Sequence, residues 1–244
     1  MRIIDAHCHV GQGCAYSLSV DELLRDMDAN GVGCAVVVPV DRCIAVYNRE
    51  GNDEVLAAAR AHPDRLIPFA TVNPWYGDAA IDELNRAFGE GAAGLKLHPV
   101  VQGFSIIDAI SFTVVEAALK HCKPIYFHTG TPVHSTPFQL TELAMRYPEG
   151  QFIMGHAAYA DYWNDVVGAV KCVPNVYVET SQHLASFVKL LCDELGADKL
   201  IYGSDAPKTA MKIEIEKITR YIEPDADREL IFGGNISRLL GRAC

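Results

Sequence analysis

Short apolar runs alternate with amphipathic segments along the chain, and this alternation restricts the fold more than any other feature. Eight apolar runs have the length of buried strands, at residues 1–9, 33–40, 66–72, 92–97, 124–127, 151–154, 176–178 and 199–202. Helical periodicity follows each run, at residues 19–29, 52–61, 78–88, 106–121, 136–147, 159–170, 183–195 and 209–221. Eight strand–helix units predict an α/β protein of one domain, a (β/α)8 barrel over residues 1–244.

A doubly wound open sheet is the rival arrangement for the same alternation. In dinucleotide-binding sheets of that kind, a Gly-x-Gly-x-x-Gly turn follows the first strand, and no such turn follows residue 9 here. The absence of this turn favours the closed barrel over the open sheet.

The composition restricts partners and compartment. The formal net charge is −10 with no basic stripe, so we expect no nucleic-acid partner. No apolar run approaches the roughly 18 residues of a membrane span. Because the first predicted strand begins at residue 1, we also expect no signal peptide. The eight cysteines form no Cys-x-x-Cys pair, which favours a reducing cytoplasm over a disulfide framework. A homo-oligomer remains open.

The first predicted strand carries two metal-ligating residue types on one face. His7 and His9 alternate with Cys8, so both rings project to one side about 7 Å apart, and Cys8 points to the helices. The same alternation predicts that Asp5 lies on the histidine face, one step deeper. Two imidazoles on one rigid strand can bind one metal ion, although a simple pair of hydrogen-bonded histidines would look the same.

Polar side chains also end the other predicted strands. Five of the nine histidines lie at strand ends, and the full set is His7, His9, Lys96, His98, His128, His156, Glu179 and Asp205. In barrels of this type the chemistry is located where the strands end and the following loops begin. Imidazole and carboxylate groups around one cavity suit Zn²⁺ or a similar divalent ion.

These motifs together resemble the amidohydrolase superfamily, and within it the amidohydrolase-related branch of metal-dependent hydrolases and decarboxylases. The resemblance runs from residue 3 to about residue 240 and rests on Asp5-Ala-His-Cys-His9, Gly94-Leu-Lys-Leu-His-Pro99, His128-Thr-Gly130, Gly155-His156 and Gly203-Ser-Asp-Ala-Pro207. It implies one or two divalent ions, Zn²⁺ before Mn²⁺ or Fe²⁺, with the ligands His7, His9, His128 and Asp205.

The resemblance also implies roles for residues around the ion. His156 is either a second-metal ligand or the group that polarises the substrate. Lys96 occupies the strand where two-metal members carry a carboxylated lysine, and in single-metal members it would instead bind a substrate carboxylate. His98 and Gln102 are expected to line the pocket.

The implied reaction is hydrolysis of a small-molecule amide, ester or lactone by a metal-activated water, with Asp205 as the general base. The alternative is a non-hydrolytic decarboxylase, which needs a cation such as Lys96, Arg42 or Lys208 to hold the acidic substrate. A deoxyribonuclease of the superfamily is less expected, because strand four carries lysine where those enzymes carry glutamate. A barrel that binds without turnover is the non-enzymatic reading.

Overall fold

A computed structural model describes residues 2–241, and it contains nine strands in one sheet. Eight of them are parallel neighbours in chain order, which confirms the predicted strand count; their bounds are β1 (Ile3–Gln12), β3 (Val32–Pro39), β4 (Leu66–Ala70), β5 (Gly94–Leu97), β6 (Ile125–His128), β7 (Phe152–Gly155), β8 (Val176–Glu179) and β9 (Leu200–Ile201). The ninth, β2 (Ser17–Leu18), is a short strand that pairs antiparallel with the end of β1, and the alternation of apolar runs does not predict it. Residues 1 and 242–244 of the predicted domain lie outside the described residues.

Helices connect the strands, and each predicted helix has a counterpart. Their bounds are α1 (Val20–Asn30), α2 (Asp41–Ala45), α3 (Asn48–Ala61), α4 (Asp78–Gly89), α5 (Pro99–Gln102), α6 (Ala109–Lys120), α7 (Pro137–Arg146), α8 (Tyr159–Lys171), α9 (Ala185–Leu195), α10 (Met211–Tyr221), α11 (Asp225–Glu229) and α12 (Asn235–Leu239). Ser19 and Glu22 form a reciprocal capping box at the start of α1. Within residues 2–241, no helix combines the length and apolar character that crossing a membrane requires.

The sheet closes into a barrel between its first and last strands. The amide of Asp205, just after β9, donates to the His7 carbonyl oxygen at 2.8 Å, and the His9 amide donates to the Ala206 carbonyl oxygen at 2.8 Å. Cys8 and Ala206 form the parallel bridge at this closure. We call this contact between β1 and residues 204–206 the seam. The seam brings His7, His9 and Asp205 together at one end of the barrel.

The core has two layers, one inside the barrel and one between strands and helices. The inner layer contains alternate strand residues such as Ile4, Val36 and Ile67, and the outer layer contains the intervening ones, such as Ala35 and Val37. Both layers are almost fully buried. Because successive side chains on a strand point to opposite faces, this division assigns every strand residue to the lumen or to the helices.

An irregularity in β1 changes the face of Asp5. Asp5 pairs with Ala35 and Cys8 pairs with Val37, so three steps along β1 match two steps along β3. One extra residue in β1 reverses the alternation, as a β-bulge does. Asp5 therefore lies with Cys8 on the helix-facing side, and the prediction that it shares a face with His7 is wrong. The prediction that Cys8 faces the helices is confirmed.

Candidate metal centre

Three side chains meet inside the barrel mouth at distances that suit one metal ion. Ligand atoms of His7, His156 and Asp205 all lie within 4.8 Å of one another, and all three residues are buried. His9 joins them, because its Nε2 lies 3.1 Å from Asp205 Oδ1, while His7 Nε2 lies 3.4 Å from the same oxygen. The residues come from β1, the end of β7 and the end of β9, so closure of the barrel creates the cluster.

Three buried polar atoms in this cluster have no hydrogen-bond partner among residues 2–241. They are His9 Nε2, His156 Nε2 and Asp205 Oδ1. A buried polar atom without a partner costs about 1–3 kcal/mol, so three at one point call for an explanation. Imidazole nitrogen and carboxylate oxygen form the donor set of Zn²⁺ and similar divalent ions, and one such ion would satisfy all three. The residues therefore fit a metal.

The ring orientation of His9 supports this fit. Its Nδ1 lies 2.8 Å from the Pro39 carbonyl oxygen, which can only accept a hydrogen bond. Nδ1 therefore carries the proton, and Nε2 faces Asp205 with a free lone pair. A carbonyl that fixes the tautomer of a ligating histidine in this way is a regular feature of metal sites.

Burial keeps the imidazoles neutral. It lowers the pKa of His9, lowers that of His7 well below its usual range and lowers that of His156 to about 3. The Asp205 carboxylate accepts a hydrogen bond from the Gln182 amide and lies 3.6 Å from Lys208 Nζ, and both contacts favour its ionised form. Neutral imidazoles beside an ionised carboxylate are the protonation states that bind a divalent metal.

The second oxygen of Asp205, Oδ2, is contacted by Gln182 and Lys208. The Gln182 amide nitrogen donates to Oδ2, and Lys208 Nζ lies 3.6 Å from it. The Tyr159 hydroxyl donates to Gln182 Oε1 at 3.0 Å, which fixes the orientation of the amide. These contacts leave Oδ1 as the free oxygen of Asp205. Gln182 follows β8 in a loop, and no sequence pattern marked it.

Lys96 lies inside the same cluster. It is fully buried, with its Nζ 3.0 Å from His7 Nε2 and 3.6 Å from the centre of the Tyr126 ring. Burial lowers the pKa of this lysine well below its usual range. Lys96 is thus part of the site, as β5 alternation predicts, and it contacts a histidine ligand candidate directly.

His98, Gln102 and His128 surround the cluster in different ways. The rings of His98 and His128 stack at 3.7 Å, beside the three-residue group but outside it. The Gln102 amide donates to the Ile44 and Val72 carbonyls and accepts from the His98 amide. Gln102 thus uses its amide to hold loops around the pocket. The ligand role of His128 stays a prediction.

The loop that carries His156 has an unusual backbone. Residues 156–159 all have positive φ, between 45° and 63°, and none is glycine; Asp205 also has φ 56°. A non-glycine residue in this region costs on the order of 1–3 kcal/mol, and such residues concentrate at functional sites. The two segments that supply His156 and Asp205 are therefore held in strained conformations by the surrounding structure.

Comparison with known proteins agrees with this geometry. A family model described as "Amidohydrolase" matches residues 4–242. The chain belongs to the amidohydrolase family. This membership confirms the resemblance seen in the sequence, and members of the family are enzymes that act on small molecules.

The proteins that this chain resembles differ in activity. An L-fucono-1,5-lactonase from Burkholderia ambifaria is 26% identical over 191 residues, covering 65% of this chain and 64% of that protein. A 5-carboxyvanillate decarboxylase from Novosphingobium aromaticivorans, solved with manganese, has a TM-score of 0.81 at 15% identity, covering 98% of this chain and 96% of its own. A 2,6-dihydroxybenzoate decarboxylase from Rhizobium has a TM-score of 0.78 at 18% identity and covers 98% of both chains. The two structures establish the barrel fold.

Proposed function

We propose that the protein is a metal-dependent hydrolase that opens a small lactone, or a related ester or amide. The observation that carries this proposal is the convergence of three unpartnered ligand atoms, which are two imidazole nitrogens and one oxygen of the Asp205 carboxylate. The 26% identical lactonase supports a lactone as the first substrate class to test. The chain spans 64% of the length of that lactonase, so its sugar substrate is a starting point for the search.

The ligands that we propose for the metal are His7, His9 and Asp205, completed by His156 or by His128. The donor set suits Zn²⁺, and Mn²⁺ or Fe²⁺ also accept it. When bound, such an ion lowers the pKa of a water molecule from about 15.7 towards 7 and polarises a carbonyl oxygen.

In this proposal Asp205 moves the proton. Its Oδ1 accepts a proton from the attacking water and later delivers it to the leaving oxygen of the opened ring, the general base and acid role. Gln182 and Lys208 hold Oδ2, so the carboxylate keeps one orientation during both transfers. The buried setting of the imidazoles excludes bulk water from the reacting groups and strengthens their electrostatic effect.

Decarboxylation is the second candidate, and the cations around the site favour it. Lys208 Nζ lies 3.6 Å from Asp205 Oδ2, and Lys96 is buried within the cluster, so two lysine side chains are placed to hold an acidic substrate. Arg42 is a weaker candidate, because its guanidinium lies 4.9 Å from the centre of the Tyr47 ring on the surface. The decarboxylases with the same fold keep this reading open.

One set of assays separates the two reactions. The purified protein is first analysed for metal, and it is then offered lactones, esters, amides and aromatic acids with and without chelator. Incorporation of solvent ¹⁸O into the product supports hydrolysis, and release of CO₂ supports the lyase. One ion per chain favours an unmodified Lys96, and two favour a carboxylated one. Metal-free protein that retains full activity after Asp205→Asn would overturn the proposal.

A further inference from the structure

Glu179 is a buried carboxylate that the proposed reaction does not use. It ends β8 and is fully buried. Two backbone amides donate to it, that of Ser181 at 2.6 Å and that of His156 at 3.1 Å. Two hydroxyls also donate to its Oε2, that of Tyr126 at 2.6 Å and that of Ser181 at 2.9 Å. Each of these hydroxyls also contacts a histidine of the metal centre.

The hydroxyl of Tyr126 determines the proton position on His7. A phenol has one proton, and here it is donated to Glu179, so the oxygen can only accept from other groups. His7 Nδ1 lies 3.0 Å from that oxygen and must therefore be the donor. The neutral ring then has a lone pair at Nε2, the atom that faces Asp205.

The hydroxyl of Ser181 does the same for His156. Its single proton is donated to Glu179, and His156 Nδ1 lies 2.9 Å from its oxygen. His156 Nδ1 therefore carries the ring proton, and its Nε2 has the lone pair. That Nε2 is one of the three atoms without a partner. One carboxylate thus places the ring proton on Nδ1 in two histidines that come from different strands.

We propose that Glu179 is a positioning residue that fixes the tautomers of His7 and His156, through Tyr126 and Ser181, so that both rings present an unprotonated Nε2 to the metal. In the opposite tautomer, an Nε2–H bond would point at the site, and that nitrogen could not ligate. This inference rests on the metal site of the proposed function and not on the reaction.

The direct test observes the tautomers in metal-free protein. Long-range ¹H–¹⁵N correlation spectra distinguish a protonated Nδ1 from a protonated Nε2, and we expect the Nδ1–H form for both histidines. In Glu179→Gln the side-chain NH₂ can donate to the Tyr126 or Ser181 hydroxyl oxygen. That hydroxyl can then donate its own proton to the histidine Nδ1, so we expect a fraction of the histidine rings to carry the proton on Nε2. Wild-type protein with the Nε2–H form at both rings would overturn the proposal.

Metal affinity gives a second readout without substrate. Loss of an outer partner of a ligating histidine typically weakens metal binding 10–100-fold, and we expect that range for Zn²⁺ in Glu179→Gln by chelator competition. Tyr126→Phe should change only the His7 spectrum and Ser181→Ala only that of His156, which keeps the test valid if Glu179→Gln fails to fold. Unchanged spectra and affinity in both of these variants would contradict the proposal.

A matched control exists on the outside of the barrel. The Tyr147 hydroxyl donates to Glu116 at 2.7 Å, so Glu116→Gln alters a similar tyrosine–glutamate pair away from the metal centre. We expect this variant to bind Zn²⁺ as tightly as the wild type. If the wild type itself binds no divalent ion, the proposed function fails, while the metal-free spectra still test the tautomers.

Discussion

Two buried aspartates lie on opposite sides of the barrel seam, and the structure treats them differently. Asp5, on the helix side, accepts hydrogen bonds from the backbone amides of His7 and Ser204, and its other oxygen lies 3.5 Å from the Tyr202 hydroxyl. Asp205, on the lumen side, keeps one oxygen without any hydrogen bond. Both side chains are fully buried.

The difference shows how to separate structural from functional charge in a protein interior. Around Asp5, donors come from the backbone on both sides of the seam, so its role is complete without a ligand. Around Asp205 the neighbouring side chains contact Oδ2 and leave Oδ1 available to a ligand. Burial alone does not distinguish the two aspartates, whereas the count of satisfied atoms does.

The same substitution at both aspartates gives the largest expected contrast. Asp205→Asn removes the carboxylate that we propose as both proton acceptor and metal ligand, so kcat/KM should fall by about 10²–10⁴-fold. Asp5→Asn keeps an oxygen that can accept from the two backbone amides, so its kcat/KM should stay within about threefold. Steady-state kinetics on whichever of the offered lactones, esters, amides or acids is turned over measures both values of kcat/KM. Equal losses in the two variants would mean that the two sides of the seam are not functionally distinct.

The pH dependence of stability is the second property in which the two aspartates should differ. Burial raises the pKa of Asp5 to about 6, although hydrogen bonds from Ser204 and His7 oppose it. The native state then binds this proton more tightly than the unfolded chain, whose carboxyl has a pKa near 3.8. Stability from this group is full below pH 4 and decreases by about 3 kcal/mol as the pH rises through 6.

Urea unfolding of metal-free protein between pH 4 and pH 7 measures this slope. Asp5→Asn has no carboxyl to titrate, so its free energy of unfolding should lack the decrease of about 2.4 kcal/mol that the wild type shows over this pH range. The buried histidines titrate alike in both proteins and cancel in the difference. Parallel curves for the two proteins would contradict the role given to burial at Asp5.

Metal binding should stabilise the lumen side of the seam. A ligand present at 100 times its Kd adds about 2.7 kcal/mol to the free energy of unfolding, which corresponds to a Tm increase of about 5–10 °C for a chain of this size. Thermal unfolding with and without Zn²⁺ measures the increase. Asp205→Asn should lose more than half of it and Asp5→Asn none. A wild-type Tm that does not respond to Zn²⁺, Mn²⁺ or Fe²⁺ would contradict a metal at this site.

The smallest expected effect comes from Cys8, between the two histidines in sequence. Its thiol is buried on the helix side, 3.6 Å from the Ser204 hydroxyl. Cys8→Ala removes one buried sulfur and should cost about 1 kcal/mol of stability, with kcat/KM and metal content unchanged. Differential scanning calorimetry and metal analysis test this. Loss of metal in this variant would contradict the placement of Cys8 on the helix-facing side of β1.

Sequence patterns were sufficient for the barrel and for the residues that approach its mouth. The strand and helix periods predicted eight parallel strands, and strand-end positions predicted that His7, His156 and Asp205 would approach one another. These features depend on the periods with which apolar residues recur, two residues in strands and 3.6 in helices, and such periods are visible in short segments of the sequence.

Other features depend on contacts that no local pattern encodes. The bulge in β1 inserts one residue, and a single insertion reverses the face of Asp5 without any mark in the sequence. Gln182 reaches Asp205 because its loop has a positive φ of 59°, a conformation that glutamine rarely adopts. Tyr126 could have been found, since it lies two residues before His128 on the same strand face. Its contact with Glu179 requires the register of β6 through β8, which only the folded sheet fixes.

The position of the seam has a consequence for the order of folding. Cys8 and Ser204 touch although they are 196 residues apart in the chain, and the candidate ligands lie on both sides of that contact. A partly folded chain that has formed only its first seven barrel strands lacks Asp205, so it has no complete site. Metal capture is therefore expected to be among the last events of folding. Loss of the metal should likewise first release the amide protons of His9 and Asp205 to exchange with solvent.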